Sequence, residues 1–522
     1  MAGGPSSPVR VVLSGPMGAG KSTLGPLLAE RLGARFVDLD ALVESRVGRS
    51  VSTLFREEGE AAFRAHERAA LECLLGEPGP LVVALGGGTV CDAALRRRLL
   101  DETVVVTLHA PLATLRARVG AGADRPLASH LDRLLTERAA AYAECHVRLD
   151  TSALGPERLA AELQTWLAQP PLVVPLGTRS YRVHVARGLL GRLRRLVELD
   201  SLEASGWLVV TDEHVASWAD RVGASLPQPP LAQVRLKPGE SHKTIGSVER
   251  IWDAALEVPV DRDGVLAAVG GGTVLDVSGM AAATFLRGVR WMAVPTSLLA
   301  MLDAAVGGKT GIDRPQGKNL VGVVHQPSLV VADVDVLGTL PDAERRAALA
   351  EAVKTAWLEG EQAVAALERD AEALVAADPD ATIRAVRAAL RVKARLVAED
   401  EHDRGLRRRL NLGHTVGHAL EAATVWRLRH GEAVALGLLA AMRVGRARGL
   451  ARPHDEARLR ELLGRLGLPV ELDAWLSPDV LRHVRVDKKR RGDRIGFVVP
   501  GSPGHVETME LSPDELAAAL SR

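Results

Sequence analysis

A glycine-rich segment at residues 15–22, with the sequence GPMGAGKS, constrains the fold of this chain more than any other feature. It fits the pattern GxxxxGK[ST] and lies between a short β-branched run at residues 9–13 and a helical leucine pattern at residues 21–32. A strand before such a loop and a helix after it are the context that the pattern requires. Further apolar runs at residues 81–85 and 104–108 alternate with helical patterns, so the sequence predicts a parallel α/β sheet.

This segment also predicts a phosphate site. Its glycines let backbone N–H groups point at phosphate oxygens, and the helix N-terminus adds a partial positive charge. Lys21 is expected to reach the outer phosphates of a nucleotide, and the Ser22 hydroxyl to ligate Mg²⁺. Asp38 and Asp40 close the next predicted strand, and we expect their side chains on one face because they are two residues apart. One carboxylate can hold hydrated Mg²⁺ while the other accepts a proton from a hydroxyl.

A second glycine-rich segment, GGGTVLD at residues 270–276, follows the apolar strand pattern of residues 265–269. Three glycines at the end of a strand allow close approach of a pyrophosphate, although the GxGxxG spacing is absent. Lys309, Lys318 and Asn319 lie in glycine-flanked stretches that suit an anionic ligand. The glycine segment alone indicates a dinucleotide site only weakly, and the lysines and the asparagine add a place for an anionic ligand.

Three histidines predict a metal site toward the C-terminal end. His414 and His418 are four residues apart and hence on one helix face, and His430 follows closely. Glu351 could complete a set of two histidines and one glutamate, which leaves coordination positions open for a substrate. The residues themselves do not decide which two of the histidines bind.

Breaks in these patterns predict three domains. They comprise a P-loop α/β domain at residues 1–168, a second α/β domain at residues 169–335, and an all-helical domain at residues 336–522 with a small strand at residues 495–499. The first boundary is placed at Gln169-Pro170-Pro171, which ends a helical pattern.

Composition excludes several classes of protein. The net charge of +1 and the aromatic share of 3% argue against a nucleic-acid-binding role. No apolar run approaches the roughly 20 residues that span a bilayer. Only three cysteines occur, without a CxxC pair, which disfavours a disulfide scaffold and favours a reducing compartment. We therefore expect a cytoplasmic protein whose partners are small molecules, with neither a nucleic acid nor a membrane among them.

Residues 8–168 resemble shikimate kinase in the order and spacing of these pieces, which include Asp38-Leu-Asp40, Gly59-Glu60 before Arg64, the glycines at residues 86–88, and Glu137-Arg138. The resemblance implies catalytic roles for Lys21, Asp40 and Arg125, with Arg125 on a lid over the nucleotide. ATP and Mg²⁺ would be bound by Gly18, Gly20, Lys21, Ser22, Thr23, Asp38 and Arg125. Shikimate would be bound by Asp40, Arg64, Gly86, Gly87, Gly88 and Arg138.

Residues 172–500 are similar to 3-dehydroquinate synthase over nearly their whole length. The resemblance implies zinc or cobalt held by Glu351, His414 and His430. It implies NAD bound by Asp212, Glu240, Lys243, Gly271, Gly272, Thr273, Asp276, Thr296, Ser297, Lys309, Lys318 and Asn319. Substrate contacts would come from Arg287, Asp303, Lys309, Asn319, Lys354, Lys393, Arg407, Asn411, His418 and Lys488. Catalytic roles would fall to Lys309, Lys354, Asn411 and His418, and Arg287 would reach the substrate phosphate across a homodimer.

Together the two resemblances imply a bifunctional enzyme of aromatic amino acid biosynthesis. It would phosphorylate shikimate with ATP, and it would convert 3-deoxy-D-arabino-heptulosonate 7-phosphate into 3-dehydroquinate and phosphate with NAD and a metal. Two alternatives stay open for the second half: a cyclase that makes an inosose or a valiolone, and a polyol dehydrogenase with net redox turnover. A third alternative is that one of the two halves is an inactive binding or regulatory module.

Overall fold

The computed structural model describes residues 9–119, 130–424, 427–485, 490–491 and 494–520. The chain divides into two compact units, one formed by Met1–Arg182 with Glu198–Leu202 and the other by Val183–Val197 with Glu203–Arg522. The finer division into three domains stays a prediction. Among the described residues, no helix combines the length and the apolar character needed to cross a membrane.

The first unit is an α/β layer structure. Its strands are β1 (Arg10–Ser14), β2 (Arg35–Asp38), β3 (Leu81–Ala84), β4 (Val104–His109), β5 (Val147–Asp150) and β6 (Leu172–Val174). Its helices are α1 (Lys21–Leu32), α2 (Leu39–Val47), α3 (Val51–Gly76), α4 (Ala93–Glu102), α5 (Leu112–Val119), α6 (Leu131–Ala143) and α7 (Pro156–Leu167). The next two elements, β7 (Tyr181–Ala186) and α8 (Leu193–Leu199), contain residues of both units.

The predicted parallel sheet of the first unit is confirmed. Its order is β2-β3-β1-β4-β5, and each of these pairings is parallel. The central strand β1 is apolar throughout its middle, and Val11, Val12 and Leu13 are buried because helices cover both of its faces. The strands β1, β2 and β3 end side by side at Ser14, Asp38 and Ala84, which is the edge of an open α/β sheet where ligands bind.

Helix α3 is broken at Gly59. This glycine has a φ of 83° and a ψ of 173°, far from helical values, and a Cβ added there would meet no atom within 4 Å. The break redirects the second part of the helix, which carries Arg64 and Glu67. A side chain at this φ would be strained, so glycine allows the turn.

The second unit contains a parallel sheet and a helical region. Its strands are β8 (Trp207–Asp212), β9 (Ala232–Leu236), β10 (Val265–Gly270), β11 (Arg290–Pro295), β12 (Lys309–Arg314), β13 (Gly317–Val324), β14 (Leu329–Asp333), β15 (Arg490–Arg491), β16 (Arg494–Pro500) and β17 (Val506–Leu511). Its further helices are α9 (Ala216–Ser225), α10 (Ile245–Glu257), α11 (Gly272–Thr284), α12 (Asp342–Glu359), α13 (Glu361–Val375), α14 (Pro379–Glu399), α15 (His414–Ala423), α16 (His430–Ala447), α17 (Pro453–Arg465), α18 (Pro478–Arg485) and α19 (Pro513–Leu520).

Two arrangements of the second unit position its site. The strands β14-β11-β10-β8-β9 are parallel neighbours, and Gly270 pairs with Pro295 where β10 and β11 end. Helix α12 packs against α13, α14 and α16, and α15 packs against α16. The predicted strand at residues 495–499 is confirmed as β16, which pairs with β15 and β17.

Candidate active sites

The loop between β1 and α1 has the geometry of a phosphate cradle. Gly18 and Gly20 have φ values of 77° and 94°, and a Cβ at Gly18 would lie 3.0 Å from the carbonyl oxygen of Leu115. Glycine is therefore required for both the conformation and the close packing of the loop. Lys21 Nζ donates hydrogen bonds to the carbonyl oxygens of Gly15 at 2.8 Å and Pro16 at 3.0 Å. The ammonium group thus lies over the loop to which phosphates would bind.

Ser22 and Asp38, the predicted Mg²⁺ residues, are in contact. Ser22 Oγ donates to Asp38 Oδ2 at 3.0 Å, and Asp38 Oδ1 accepts from the backbone N–H of Asp40 at 3.1 Å. Asp38 is consequently the N-cap of α2, and Asp40 lies in the first turn of that helix. The prediction that Asp38 and Asp40 share one face of a strand is wrong, because the side chain of Asp38 starts a helix instead.

Arg64 and the glycines after β3 form the opposite wall. Arg64 Nη1 pairs with Glu67 Oε2 at 2.8 Å, and Glu67 is only 1% exposed. A Cβ at Gly88 would lie 2.1 Å from Arg64 Nη2, and a Cβ at Gly87 would lie 3.2 Å from Arg138 Nη1. The glycines therefore let both guanidinium groups approach the backbone.

These residues line one cleft of about 1220 Å³, here called the kinase cleft. It gathers the predicted residues Gly18, Gly20, Lys21, Ser22, Thr23, Asp38, Asp40, Arg64, Gly86, Gly87, Gly88 and Arg138. Arg125 lies outside the described residues. Burial raises the pKa of Asp40 to about 6, assisted by the carboxylates of Glu67 and Asp38. A carboxylate with this pKa can accept a proton near neutral pH.

In the second unit, Glu351, His414 and His430 meet as one cluster, here called the His-Glu cluster. Their helices α12, α15 and α16 pack together, and His414 and His430 are the first residues of α15 and α16. Glu351 Oε1 lies 3.3 Å from His414 Nε2 and 3.6 Å from His430 Nε2. One donor atom from each residue lies within 4.8 Å of the others, so this set fits a divalent cation with open positions.

A second grouping shares one histidine with the first. His418, Glu421 and His430 also place one donor atom each within 4.8 Å of one another. Glu421 Oε2 lies 3.4 Å from His430 Nδ1, so the two ring nitrogens of His430 face two different carboxylates. Burial alone would lower the pKa of His430, but Glu351 and Glu421 outweigh it and raise that pKa to about 10.

Positive side chains lie next to the His-Glu cluster. Lys354 forms an ion pair with Glu351 one turn along α12, and Lys393 Nζ lies 2.7 Å from Asp303 Oδ1. Burial lowers the pKa of Lys393 to about 8, against the opposing effect of Asp303. Burial would raise the pKa of Asp303, but Lys393 and Lys354 outweigh it and hold that pKa below its ordinary value.

Three further predicted substrate residues have polar partners nearby. Arg407 is buried and donates to the carbonyl oxygen of Gly307 at 2.8 Å, and Asn411 Nδ2 donates to the carbonyl oxygen of Arg408 at 3.1 Å. Lys309 Nζ forms an ion pair of 2.5 Å with Asp403 Oδ2. The buried guanidinium of Arg407 and the exposed, paired ammonium of Lys309 suit a substrate with several negative charges.

The predicted dinucleotide residues lie at the carboxyl ends of the parallel strands. Helix α11 begins directly after Gly271, so its N-terminus is available to phosphate groups. A Cβ at Gly271 would lie 3.5 Å from Ser297 Oγ, and Thr296 N donates to the carbonyl oxygen of Gly270 at 3.0 Å. Asp212 ends the neighbouring strand β8 and caps the turn that follows it.

A chain of polar contacts connects the remaining members of this set. Lys243 Nζ lies 2.5 Å from both Asp276 Oδ2 and Asn319 Oδ1, and Thr273 Oγ1 donates to Glu240 Oε2 at 3.3 Å. Burial raises the pKa of Asp276 to about 6, although Lys243 opposes the shift.

Lys318 extends this chain toward the helices. Its Nζ lies 3.5 Å from Glu240 Oε1 and 3.4 Å from Glu421 Oε1. One lysine thus contacts both the dinucleotide residues and a neighbour of the His-Glu cluster.

The last two predicted substrate residues are Arg287 and Lys488. Arg287 is exposed, in the turn that follows α11, and its φ of 69° is in the left-handed region, as is the φ of 49° at Leu286. Lys488 lies outside the described residues.

The structure adds residues that were not singled out from the sequence. Glu421 lies seven residues after His414 on α15, so helical spacing could have identified it as a member of the same face. Glu67 lies three residues after Arg64 and could have been found in the same way. Arg118, which lines the kinase cleft, and Asp403, which pairs with Lys309, could not be found from the sequence, because an isolated charged residue in a charged stretch has no distinctive spacing.

Comparisons with known proteins show which families the two parts of the chain are similar to. Residues 17–168 match the family model described as "Shikimate kinase", residues 233–347 match "3-dehydroquinate synthase N-terminal", and residues 348–490 match "3-dehydroquinate synthase C-terminal". A 3-dehydroquinate synthase from Symbiobacterium thermophilum is 42% identical over 351 residues, which cover 66% of this chain and 98% of the relative. One from Rhodospirillum rubrum is 44% identical over 339 residues, which cover 63% and 88%.

A solved structure is also similar. It is a 2-epi-5-epi-valiolone synthase from Streptomyces hygroscopicus with NAD⁺ and Zn²⁺ bound, which is 28% identical, has a TM-score of 0.60, and covers 65% of this chain and 96% of its own. Relatives matched over almost their full length show the family. The chain therefore belongs to the 3-dehydroquinate synthase family and carries a shikimate kinase domain before that region, which makes it a bifunctional enzyme of the shikimate pathway.

Proposed function

We propose that the residues of the kinase cleft transfer the γ-phosphoryl group of ATP to the 3-hydroxyl of shikimate. Lys21 and the loop N–H groups neutralise the phosphates, while Ser22 and Asp38 hold Mg²⁺. Asp40 accepts the proton that the hydroxyl loses as its oxygen bonds to phosphorus and ADP leaves. Arg64 and Arg138 bind the shikimate carboxylate, because guanidinium groups pair with carboxylates in a bidentate manner.

We propose that the second unit converts 3-deoxy-D-arabino-heptulosonate 7-phosphate into 3-dehydroquinate and phosphate. Glu351, His414 and His430 hold Zn²⁺ or Co²⁺, and the predicted dinucleotide residues hold NAD. When bound, NAD accepts and returns a hydride, and the cation lowers the pKa of the substrate hydroxyl that is oxidised. The single observation that carries this proposal is the meeting of the His-Glu cluster with buried cationic side chains.

The chain's own residues supply binding and proton transfer in this reaction. Lys354, Lys393 and Arg407 provide fixed positive charge for an anionic substrate, and Asp303 orients Lys393 through the 2.7 Å contact. Asn411 binds a substrate hydroxyl, and His418 exchanges a proton with the substrate rather than binding the cation. Lys309 acts beside Asp403, and the 2.5 Å ion pair keeps its ammonium group in place.

The test is phosphate release from 3-deoxy-D-arabino-heptulosonate 7-phosphate by the full chain, with and without a chelator, while NADH absorbance is recorded. We expect release that the chelator abolishes and no accumulation of NADH, because the hydride returns in each turnover. Steady NADH accumulation would instead support a dehydrogenase. Absence of release from folded, metal-loaded protein that acts on another sugar phosphate would assign it to a different cyclase reaction.

We also propose that the chain forms a homodimer through its synthase part. Leu286 is 39% exposed beside Arg287, and strand β13 exposes Leu320, Val321 and Val323 by 45%, 44% and 40%. Exposed apolar side chains of this size mark interaction surfaces. Light scattering should give twice the chain mass, and Val321→Lys should shift the mass toward that of a single chain.

We propose a cytoplasmic location. Cys73, Cys91 and Cys145 are all free thiols, which suits a reducing compartment, and ATP is available there. Cell fractionation that recovered the protein outside the cytoplasm would contradict this assignment.

A further inference from the structure

Helix α6 forms part of the shikimate side of the kinase cleft. Tyr142 donates a hydrogen bond from its hydroxyl to the carbonyl oxygen of Gly87 at 2.5 Å. Arg138, one turn earlier, has its Nη1 within 3.2 Å of the position that a Cβ at Gly87 would take. The placement of the last turns of α6 therefore sets the position of Arg138 in the cleft.

The end of this helix is held by an arginine from outside the kinase match. Arg182 Nη2 donates to the carbonyl oxygen of Ala143 at 3.1 Å, and its Nε donates to that of Cys145 at 3.1 Å. The carbonyls at the end of a helix lack intrahelical donors, and a cation there interacts favourably with the helix dipole. The kinase family match ends at residue 168, so Arg182 belongs to the following segment.

Arg182 is built into the first unit as a buried charge. It is 6% exposed, its Nη2 lies 2.8 Å from Cys145 Sγ, and its Nε lies 3.7 Å from Asp200 Oδ1. The side chain of Asp200 is 3% exposed. A buried ion pair costs desolvation and adds little net stability, so its presence suggests a role in fixing position.

A second contact from the same segment reaches the glycine turn. Gly177 N donates to Glu144 Oε1 at 2.9 Å, and Glu144 Oε2 lies 2.5 Å from Arg96 Nε. Arg96 Nη1 in turn donates to the carbonyl oxygen of Val90 at 2.6 Å, in the short helical turn directly after Gly88. Residues 177 and 182 thus support both α6 and the glycine turn.

We propose that Arg182, paired with Asp200, is a positioning residue for shikimate binding, because it fixes the end of α6 and hence Arg138. The kinase site of this chain is then completed by residues that follow the kinase family region. This inference rests on the proposed binding of shikimate by Arg138.

The test uses the full chain with Arg182→Met, which removes the charge and its donors but keeps an unbranched side chain. We expect the KM for shikimate to rise about tenfold, since small misplacements of binding groups have large effects on turnover and binding. The KM for ATP and the synthase activity should stay within about twofold, because the partners of this side chain, Ala143, Cys145 and Asp200, are neither in the loop at Lys21 nor among the proposed synthase residues. Arg182→Lys should recover part of the loss by restoring the cation.

Arg179→Met is the matched control, because Arg179 is an exposed arginine of the same segment. It should leave both KM values unchanged. A fall in kcat with no change in the KM for shikimate would overturn the proposal. Arg182 would then be a purely structural residue. If Arg182→Met does not fold, the same KM comparison is made with Asp200→Asn, which removes the carboxylate paired with Arg182.

Failure of the proposed function has a different signature. If Arg138→Lys leaves the KM for shikimate unchanged, the assignment of Arg138 is wrong whatever Arg182→Met does. If Arg138→Lys raises that KM and Arg182→Met does not, only the positioning role is overturned.

Discussion

His430 and Glu421 are joined by a contact of 3.4 Å between Nδ1 and Oε2, which turns Nε2 of the same ring toward Glu351. A carboxylate in this position fixes the ring orientation and increases the basicity of a metal-binding histidine. We therefore expect Glu421 to strengthen metal binding, although it contacts the ligand His430 and not the cation itself.

Glu421→Gln should weaken metal binding, by about 10- to 100-fold at pH 9. The difference in metal affinity between the variant and the unmodified chain should become smaller toward pH 7. Glu421 helps to raise the pKa of His430 to about 10, so the ring of the variant releases its proton more readily when the cation binds. Cobalt titration against a competing chelator at several pH values measures both effects. Exposed Glu461→Gln serves as the control, and an unchanged affinity in Glu421→Gln at pH 9 would refute the role.

Kinase activity should fall as the pH drops below about 6. Burial, with Glu67 and Asp38, raises the pKa of Asp40 to about 6, and the protonated acid can no longer accept a proton from shikimate. The value of kcat/KM for shikimate should decrease about tenfold per pH unit below this point. A flat profile down to pH 5 would show that Asp40 is not the base.

The same carboxyl group should destabilise the fold at neutral pH. Its folded-state pKa lies above the unfolded value of 3.8, so the native state binds more protons between pH 4 and 6 and stability decreases as the pH rises through that window. Asp40→Asn should raise the free energy of unfolding at pH 8 by on the order of 1 kcal/mol while abolishing turnover. Denaturant unfolding at pH 8 and pH 4.5 measures this difference, which should be smaller at the lower pH.

Gly88→Ala should impair shikimate binding selectively. The added methyl group would lie 2.1 Å from Arg64 Nη2 and displace that guanidinium, so we expect the KM for shikimate to rise at least about tenfold. Gly76→Ala is the control, because a Cβ there meets no atom within 4 Å. Synthase activity should be equal in both variants, and equal kinase KM values would contradict the packing argument.

Synthase activity should decline above about pH 8. Burial lowers the pKa of Lys393 to about 8, and the neutral amine no longer attracts an anionic substrate. The KM for the heptulosonate phosphate should therefore rise between pH 8 and 9.5. Lys237→Met, at an exposed lysine, should keep the profile of the unmodified chain, whereas Lys393→Met should have a high KM at every pH.

The sequence predicted those parts of the fold that depend on local patterns. The parallel sheet of the first unit and the helix at Lys21–Leu32 follow from periodicity and from the glycine-rich loop between them. The error at Asp40 has a local cause as well, because an aspartate at the end of a strand can also cap a helix, and Asp38 does so.

Contacts between distant segments could not be predicted in this way. The four-residue spacing alone places His414 and His418 on one helix face. The approach of Glu351 to His414, in contrast, depends on how α12 packs against α16. Arg182 gave no signal at all, since its partners at Ala143 and Cys145 are backbone carbonyls, which have no sequence signature.

In the proposed synthase site, Lys318 couples the binding of the dinucleotide to the binding of the cation. Its ammonium group lies 3.5 Å from Glu240 Oε1 and 3.4 Å from Glu421 Oε1, so it is shared by the dinucleotide residues and by the carboxylate behind His430. A ligand that draws Lys318 toward one carboxylate changes the charge felt by the other. Dinucleotide and cation must then alter each other's affinity by the same factor, since linkage between two binding equilibria is reciprocal.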